Sequence, residues 1–281
     1  FEIGKDLAST PGSVVFRNDM MELIQYTPST ETVHETPILV IPPWINKYYI
    51  LDLKAENSYV KWMVDQGHTV FLISWRNPDA SMRNVTFTDY MVDGICAAIN
   101  EIEAITGVSQ VNPIGYCIGG TLLSMTLAWL TATKQDSFVK RATFLTTLID
   151  FRDAGDLCVF IDDEQIDALE AMMSEKGYLD GDVMKATFAM LRANDMVWSY
   201  VVNNYWMGRD PQAFDMLVWN SDVTNLPAAF QSDYLRSMYR DNRLINKGDY
   251  VLNGVPMDIT SVKTPSYFLS AKDDHKIGRA H

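Results

Sequence analysis

The sequence predicts an α/β fold, in which a mostly parallel sheet is flanked by helices and carries a helical cap. Short apolar segments typical of strands alternate with longer segments of helical periodicity. This alternation favours parallel strands, because each helix returns the chain to the same end of the sheet. A further observation predicts the cap: residues 151–233 carry Met and aromatic residues at helical spacing and show no comparable strand pattern.

The first βαβ unit lies in the amino-terminal third of the chain. The apolar run PILVI at 37–41 predicts a buried strand that Pro42 and Pro43 terminate. Residues 58–66 are predicted as a helix and residues 69–75 as the next strand. These segments give one crossover connection.

A second unit follows in the centre of the chain. Residues 88–106 carry apolar side chains at helical spacing and end at Gly107, a typical helix terminator. Residues 111–116 predict a short strand, and residues 121–133 predict an apolar helix. The few residues between this strand and this helix must form a sharp turn.

Two β-rich segments, 141–149 and 262–271, add strands on either side of the cap. We therefore expect one domain over residues 1–275, with its cap at about 151–233. The chain begins with Phe and ends soon after an apolar run, so we expect it to be truncated at both ends. Residues 276–281 match one reading frame of a common sequencing adapter and are expected to be non-native.

Composition excludes several classes of function. The 281 residues include 23 basic and 36 acidic side chains, a net charge of −13, which argues against a nucleic-acid partner. No apolar run approaches the roughly 20 residues that cross a bilayer, so no transmembrane segment is expected. Three cysteines and the lack of a signal peptide predict thiols in a reducing, cytoplasmic location.

The segment GYCIGG at 115–120 places Cys117 between a predicted strand and a predicted helix, as in a nucleophile elbow. Such a turn forces its central residue into strained backbone angles, and the flanking glycines remove side chains that would collide. Cys117 would lie at a helix amino terminus, where the dipole favours a thiolate. The amide of Ile118 would then point towards an oxyanion.

The same segment has a structural interpretation, because a small buried Cys in a glycine turn is common. Phosphate binding is less consistent with it, since neither the Gly-Lys-Ser/Thr ending nor the G-x-G-x-x-G pattern is present. A catalytic Cys117 also needs a base and an orienting carboxylate.

In α/β-hydrolase folds the nucleophile is followed along the chain by the acid and then by the histidine. Asp274 follows the last predicted strand and is the candidate acid, although an Asp pair in a turn is also ordinary turn chemistry. The histidines are His34, His68, His275 and His281. None has a suitable position, so we expect the general base to be absent from this chain.

The loop after strand 37–41 is expected to supply the second oxyanion donor. Pro42 and Pro43 have no N–H, so the donor would be the Trp44 amide in preference to that of Ile45. The alternative is a rigid turn that places an aromatic side chain in the core.

Several long segments resemble the catalytic region of polyhydroxyalkanoate synthases, and the match covers nearly the whole chain. They are VVFRNDMMELIQY, PPWINKYYILDL, GYCIGG, NNYWMGRDPQAFDMLVWNSDVTNLPAAF and DDH. The Tyr before the nucleophile and the second Gly after the box are most similar to class I enzymes, which act as homodimers on short-chain monomers.

The resemblance implies an acyltransferase that polymerises (R)-3-hydroxyacyl-CoA, with 3-hydroxybutyryl-CoA as the expected monomer, and releases CoA. Cys117 would carry the acyl chain as a thioester, and Asp274 would orient a histidine that this sequence does not reach. Trp206, Trp219 and Asp222 match cap segments near the substrate entrance, although a Trp-rich cap can also be plain packing.

The resemblance further implies a homodimer at the surface of cytoplasmic polyester granules. No metal and no cofactor are expected, because CoA is part of the substrate. Without its histidine, the 281-residue chain is expected to be inactive. Two alternatives remain: a cysteine thioesterase or ester hydrolase of the same fold, and a catalytically silent granule-associated partner.

Overall fold

A computed structural model describes residues 1–155, 161–191, 198–199, 201–210 and 215–271. A seven-stranded sheet forms the centre of these residues, and its strands lie in the order β1-β2-β4-β3-β5-β6-β7. The strands are β1 (Gly12–Arg17), β2 (Met21–Tyr26), β3 (Ile38–Ile41), β4 (Val70–Trp75), β5 (Asn112–Tyr116), β6 (Ala142–Leu145) and β7 (Ser266–Leu269). This architecture confirms the predicted α/β class.

Strand pairing is parallel from β4 to β7, and antiparallel where β2 joins β4 and β1 joins β2. In the buried centre, Val40 of β3 is aligned with Leu72 on one side and Ile114 on the other. The five predicted strands are present within shorter limits. The segment 141–149 is a strand only to Leu145, because Thr146 adopts a φ of 44° and leaves the β region.

The β1–β2 hairpin was not predicted from the sequence. Most side chains of β1 are exposed, and those of β2 mix buried and half-buried positions. Neither strand therefore shows the continuous apolar run that marks the central strands.

Three helices flank the sheet before the cap. They are α1 (Tyr59–Asp65), α2 (α-helical at Phe87–Asp89 and Ala97–Thr106, with a π-helical segment Tyr90–Cys96 between them) and α3 (Ile118–Ala132). Gly107 ends α2 with a φ of 71°, as its sequence position predicted. Helix α3 begins three residues before the predicted start at 121, because Cys117 alone separates it from β5.

Helices also dominate the cap region among the described residues. They are α4 (Asp163–Lys176), α5 (Gly181–Leu191), a π-helix (Val201–Trp206), α6 (Asp215–Ser221) and α7 (Ala228–Asp233, continued as a π-helix over Tyr234–Arg240). The sequence did not predict one short strand pair in this region. It joins Tyr178–Leu179 to Leu226–Pro227. The helical region also continues beyond residue 233, to Arg240.

The remaining elements are short. The 3₁₀ helices are Tyr48–Leu51, Ala55–Asn57, Ala80–Met82, Asp136–Phe138, Arg243–Ile245 and Ile259–Ser261, and a further strand pair joins Val251–Leu252 to Val255–Pro256. Where the structure describes the chain, no helix has the length and apolar character needed to cross a bilayer.

An aromatic cluster joins the loop after β3 to α2 and α7. The Trp44 ring is 1% exposed and stacks on Tyr90 with ring centroids 4.1 Å apart. Trp75 and Phe230 contact Trp44 edge-on at 5.5 and 5.1 Å. Such pairs contribute beyond their buried area, so the cluster fixes this loop to the core.

Helix α7 is held against α4 by an ion pair. Arg236 donates two hydrogen bonds to Glu170, at 2.7 and 2.8 Å, and Ser232 donates a third. The hydrogen bonds from Arg236 are the main reason that the pKa of Glu170 lies at about 2. This contact packs α7 against α4 within the cap region.

The turn between β5 and α3 packs without space for side chains at its glycines. A Cβ atom on Gly119 would lie 2.2 Å from the Ile41 carbonyl oxygen. A Cβ atom on Gly115 would lie 2.5 Å from the Gly120 Cα atom. Backbone atoms of β3, β5 and α3 therefore contact one another directly beside Cys117.

We predict that Gly119→Ala destabilises the chain by about 3 kcal/mol, because a backbone carbonyl cannot move aside as a flexible side chain would. Gly254→Ala is the matched control: Gly254 has a φ of 75° but nothing lies within 4 Å of its Cβ position. The control should lower the free energy of unfolding only by the backbone strain of an Ala residue at positive φ, about 1 kcal/mol. Urea unfolding of both variants measures the difference, and equal losses would show that the close contact at Gly119 is unimportant.

Candidate active site

Cys117 occupies the turn between β5 and α3 in a backbone conformation that L-residues rarely adopt, with φ 54° and ψ −125°. A residue held in such a region stores of order 1–3 kcal/mol of strain. The surrounding structure maintains it, since Cys117 N–H donates to the Leu145 carbonyl at 2.9 Å. Gly120 and Thr121 N–H groups donate to the Cys117 carbonyl at 2.9 and 3.2 Å. This is the geometry predicted for a nucleophile elbow.

Ile118 is the first residue of α3 and is buried beside the turn. Amides in the first turn of a helix have no intrahelical acceptor, and the helix dipole adds positive potential there. The position fits the predicted oxyanion donor.

The loop that carries Trp44 passes directly over the turn. The Pro42 carbonyl oxygen lies 2.9 Å from the Cβ position of Gly119. The Thr224 hydroxyl donates to the Trp44 carbonyl and accepts from the Asn46 N–H, both at 2.7 Å. The Trp44 side chain is a core residue, as the structural interpretation expected. The donor role of Trp44 stays a prediction.

Tyr234 of α7 faces the same turn. Burial raises the pKa of its hydroxyl well above the ordinary value, and Tyr239 and Cys117 contribute further. Tyr234 is therefore a neutral phenol within electrostatic range of Cys117. The sequence did not single out this residue, because an aromatic in a cap helix is usually a packing residue.

A cavity of about 300 Å³ opens beside Tyr234, between α4, α5 and α7. Apolar side chains form most of its wall, and Ile45, the residue after Trp44, contributes to it. Gln231 also lines the cavity and is 3% exposed. The sequence did not single out Gln231 either, because its place in the cavity wall depends on how α7 packs against α4 and α5.

Two of the predicted cap contacts bind the loop that follows Trp44. Trp219 Nε1 donates to the Lys47 carbonyl at 2.7 Å, and the Tyr49 hydroxyl donates to Asp222 at 3.0 Å. Trp206 is 71% exposed on its π-helix. Among the described residues, the contacts of Trp219 and Asp222 thus hold the loop, and a contact with substrate stays a prediction for all three.

The predicted acid, Asp274, lies outside the described residues, as do His275 and His281. His34 and His68 contact each other, with ring centroids 4.6 Å apart. His34 and His68 precede β3 and β4, whereas Cys117 follows β5. Because these strands are parallel, the two histidines lie at the opposite end of the sheet from Cys117. The length of the strands, at a rise of about 3.3 Å per residue, separates them from the thiol. Neither can act as a base on Cys117, as the sequence suggested.

The second described thiol, Cys96, lies in the π-helical part of α2. Burial raises its pKa to about 11, so it remains protonated at neutral pH. Cys96 therefore provides an internal comparison for the reactivity of Cys117.

Sequence comparisons match the chain to known proteins over nearly its full length. A family model described as "alpha/beta hydrolase fold" matches residues 43–280, and one described as the N-terminus of poly-beta-hydroxybutyrate polymerase matches residues 1–63. Poly(3-hydroxyalkanoate) polymerases from Methylorubrum extorquens, Rhizobium meliloti and Cupriavidus necator are 54%, 52% and 45% identical over 98% of this chain. The chain spans only 45 to 47% of the length of these relatives.

Solved structures show the same architecture at low identity. A lipase-like protein from Sulfolobus solfataricus superposes with a TM-score of 0.54 and 12% identity, over 95% of this chain and 92% of its own. A hydrolase-fold protein from Burkholderia ambifaria gives a TM-score of 0.50 and 13% identity, over 95% and 84%. These likenesses bear on the fold alone. With the strand order, the strained turn at Cys117 and the match over residues 43–280, they establish that the chain belongs to the alpha/beta hydrolase fold family.

Proposed function

We propose that this chain is the catalytic part of a polyhydroxyalkanoate polymerase, which transfers 3-hydroxyacyl groups from CoA to a growing polyester through a thioester on Cys117. The observation that carries the proposal is a cysteine in the strained turn where hydrolases of this fold hold their nucleophile. The names of the relatives that are 45 to 54% identical support the substrate class.

The first proposed step is a thioester exchange. The Cys117 thiolate attacks the carbonyl carbon of the acyl-CoA, and the amides of Ile118 and Trp44 hold the oxyanion. The bond to the CoA sulfur then breaks, and CoA leaves as a thiolate that takes up the proton released by Cys117. Attacker and leaving group are both thiolates, so the exchange is nearly balanced in free energy.

The second proposed step forms the ester bond. The hydroxyl of one acyl group attacks a thioester carbonyl, its proton passes to a base, and a thiolate leaves. The proposed base is a histidine oriented by Asp274, which neither His34 nor His68 can replace from the opposite end of the sheet. The scheme uses no metal and no cofactor.

The setting of the reaction is also a proposal. On its resemblance to class I enzymes, we propose that the protein works as a homodimer at the surface of polyester granules in the cytoplasm, with hydroxybutyryl-CoA as monomer. Trp206 is proposed as a contact for substrate or polymer, because it is exposed on the cap.

Cys117→Ala is expected to abolish CoA release and polymer formation in the full-length polypeptide that contains these residues, because no sulfur is left to carry the acyl group. Cys96→Ala is the matched control and should retain activity, since the Cys96 thiol is protonated and packs against the core. The measurement supplies (R)-3-hydroxybutyryl-CoA, quantifies CoA, and weighs insoluble polyester.

The product of that reaction separates the alternatives. Polyester that disappears in Cys117→Ala supports the proposal and the nucleophile together. Free 3-hydroxybutyrate in place of polyester would identify a thioesterase, and no CoA release from the unaltered protein would favour a catalytically silent partner.

Thr224→Val is expected to lower kcat about 10-fold with little change in KM. The variant removes the hydrogen bonds to the Trp44 carbonyl and from the Asn46 N–H, so the loop that carries the proposed oxyanion donor loses its position. Thr224→Ser keeps the hydroxyl and should stay near the unaltered rate. Steady-state kinetics of both variants, below their melting temperatures, test this. If Thr224→Val is as active as Thr224→Ser, the prediction that Trp44 donates to the oxyanion is wrong.

A further inference from the structure

The loop after β3 is bound to the cap through both the backbone and the side chain of Asn46. The Asn46 N–H donates to the Thr224 hydroxyl at 2.7 Å, and Asn46 Nδ2 donates to the Trp219 carbonyl oxygen at 3.3 Å. In the opposite direction, Trp219 Nε1 donates to the Lys47 carbonyl oxygen at 2.7 Å. Each segment thus supplies donors as well as acceptors, and the loop and this part of the cap form one hydrogen-bonded unit.

Asn46 has a backbone conformation that few residue types adopt readily. Its φ of 66° lies in the left-handed region, which Asn and Gly enter more easily than other residues. In this conformation the N–H and the side chain of a single residue both reach the cap. Gly forms the same turn but has no side-chain donor, so the Asn side chain adds a bond that the turn itself does not require.

The other end of the same loop contacts the nucleophile turn. The Pro42 carbonyl oxygen lies 2.9 Å from the Cβ position of Gly119. Trp75, the last residue of β4, donates from Nε1 to that carbonyl oxygen at 2.8 Å. Asn46 follows Pro42 by four residues, and Trp44 lies midway between them. The core and the cap therefore hold opposite ends of one short segment beside the turn.

We infer that Asn46 is a positioning residue, which couples docking of the cap to the placement of the loop amide that would bind the oxyanion. Loss of the bond from Asn46 Nδ2 loosens the cap end of the segment that carries the Trp44 amide. Oxyanion donors act through their fixed position, so a less constrained amide stabilises the transition state less. This inference rests on the proposed function and names a residue that acts through the oxyanion donor, not on the substrate.

Asn46→Gly tests the inference, because Gly keeps the left-handed turn and the backbone N–H and removes only the side-chain donor. The assay uses the full-length polypeptide that contains these residues and follows CoA release from (R)-3-hydroxybutyryl-CoA. We expect kcat to fall about 10-fold while KM stays within about twofold. Asn46→Asp, a second variant of similar size that lacks the donor, should lose at least as much.

Asn253→Gly is the matched control. Asn253 also has a left-handed backbone, with a φ of 47°, and its N–H also donates to a threonine hydroxyl, that of Thr88, at 3.1 Å. It lies in the turn between the strands Val251–Leu252 and Val255–Pro256, not in the loop after β3. The same substitution there should leave kcat and KM unchanged.

Alkylation of Cys117 distinguishes positioning from a general disturbance of the site. Iodoacetamide forms a bond between the Cys117 sulfur and its own methylene carbon and releases iodide and a proton, without passing through an oxyanion. Mass spectrometry of the peptide that contains Cys117 measures the rate. We expect Asn46→Gly to slow CoA release and to leave this alkylation rate unchanged. An equal fall in both rates, or an undiminished kcat in both Asn46 variants, would overturn the inference.

The identity of the product is read separately. If free 3-hydroxybutyrate replaces polyester while both Asn46 variants still lower kcat selectively, the polymerase proposal is wrong and the positioning role stands. If the Asn46 variants form polyester at the unaltered rate, the positioning role is wrong and the proposed function stands. No CoA release from the unaltered protein would contradict both.

Discussion

The contact between the Gly119 position and the Ile41 carbonyl oxygen, where a Cβ atom would lie 2.2 Å away, fixes the geometry of the whole site. It lets α3 begin one residue after β5 and brings the loop after β3 across the turn. Cys117 between them has a φ of 54°. The nucleophile, the helix amide beside it and the loop that carries Trp44 meet because three backbone segments pack without intervening side chains.

This constraint works only if the neighbouring elements are rigid. The aromatic cluster around Trp44 anchors the loop to α2 and α7, and the Thr224 hydroxyl binds the loop backbone at the Trp44 carbonyl and the Asn46 N–H. The ion pair between Arg236 and Glu170 holds α7 against α4. Strain at Cys117 is thus balanced by ordinary packing and hydrogen bonds elsewhere, as backbone strain at a functional site requires.

A cysteine in this position suits acyl transfer between sulfur and oxygen more than hydrolysis. In the proposed reaction, a thioester on Cys117 would be about as reactive as the substrate, so it could be passed to a hydroxyl once a base is available.

The sequence alone determined the α/β class, the five strands of the parallel part of the sheet and the position of the turn at Cys117. Those features depend on short-range patterns, namely apolar runs, glycine spacing and helix periodicity. It did not determine the β1–β2 hairpin, in which β1 is mostly exposed and β2 mixes buried with half-buried side chains, or the one-residue junction that starts α3 at Ile118. Nor could it single out Thr224, Gln231 and Tyr234, which are more than 100 residues from Cys117 in the chain. Only the tertiary structure brings α7 and the turn together, because long-range packing, not local pattern, decides which helix face meets the nucleophile.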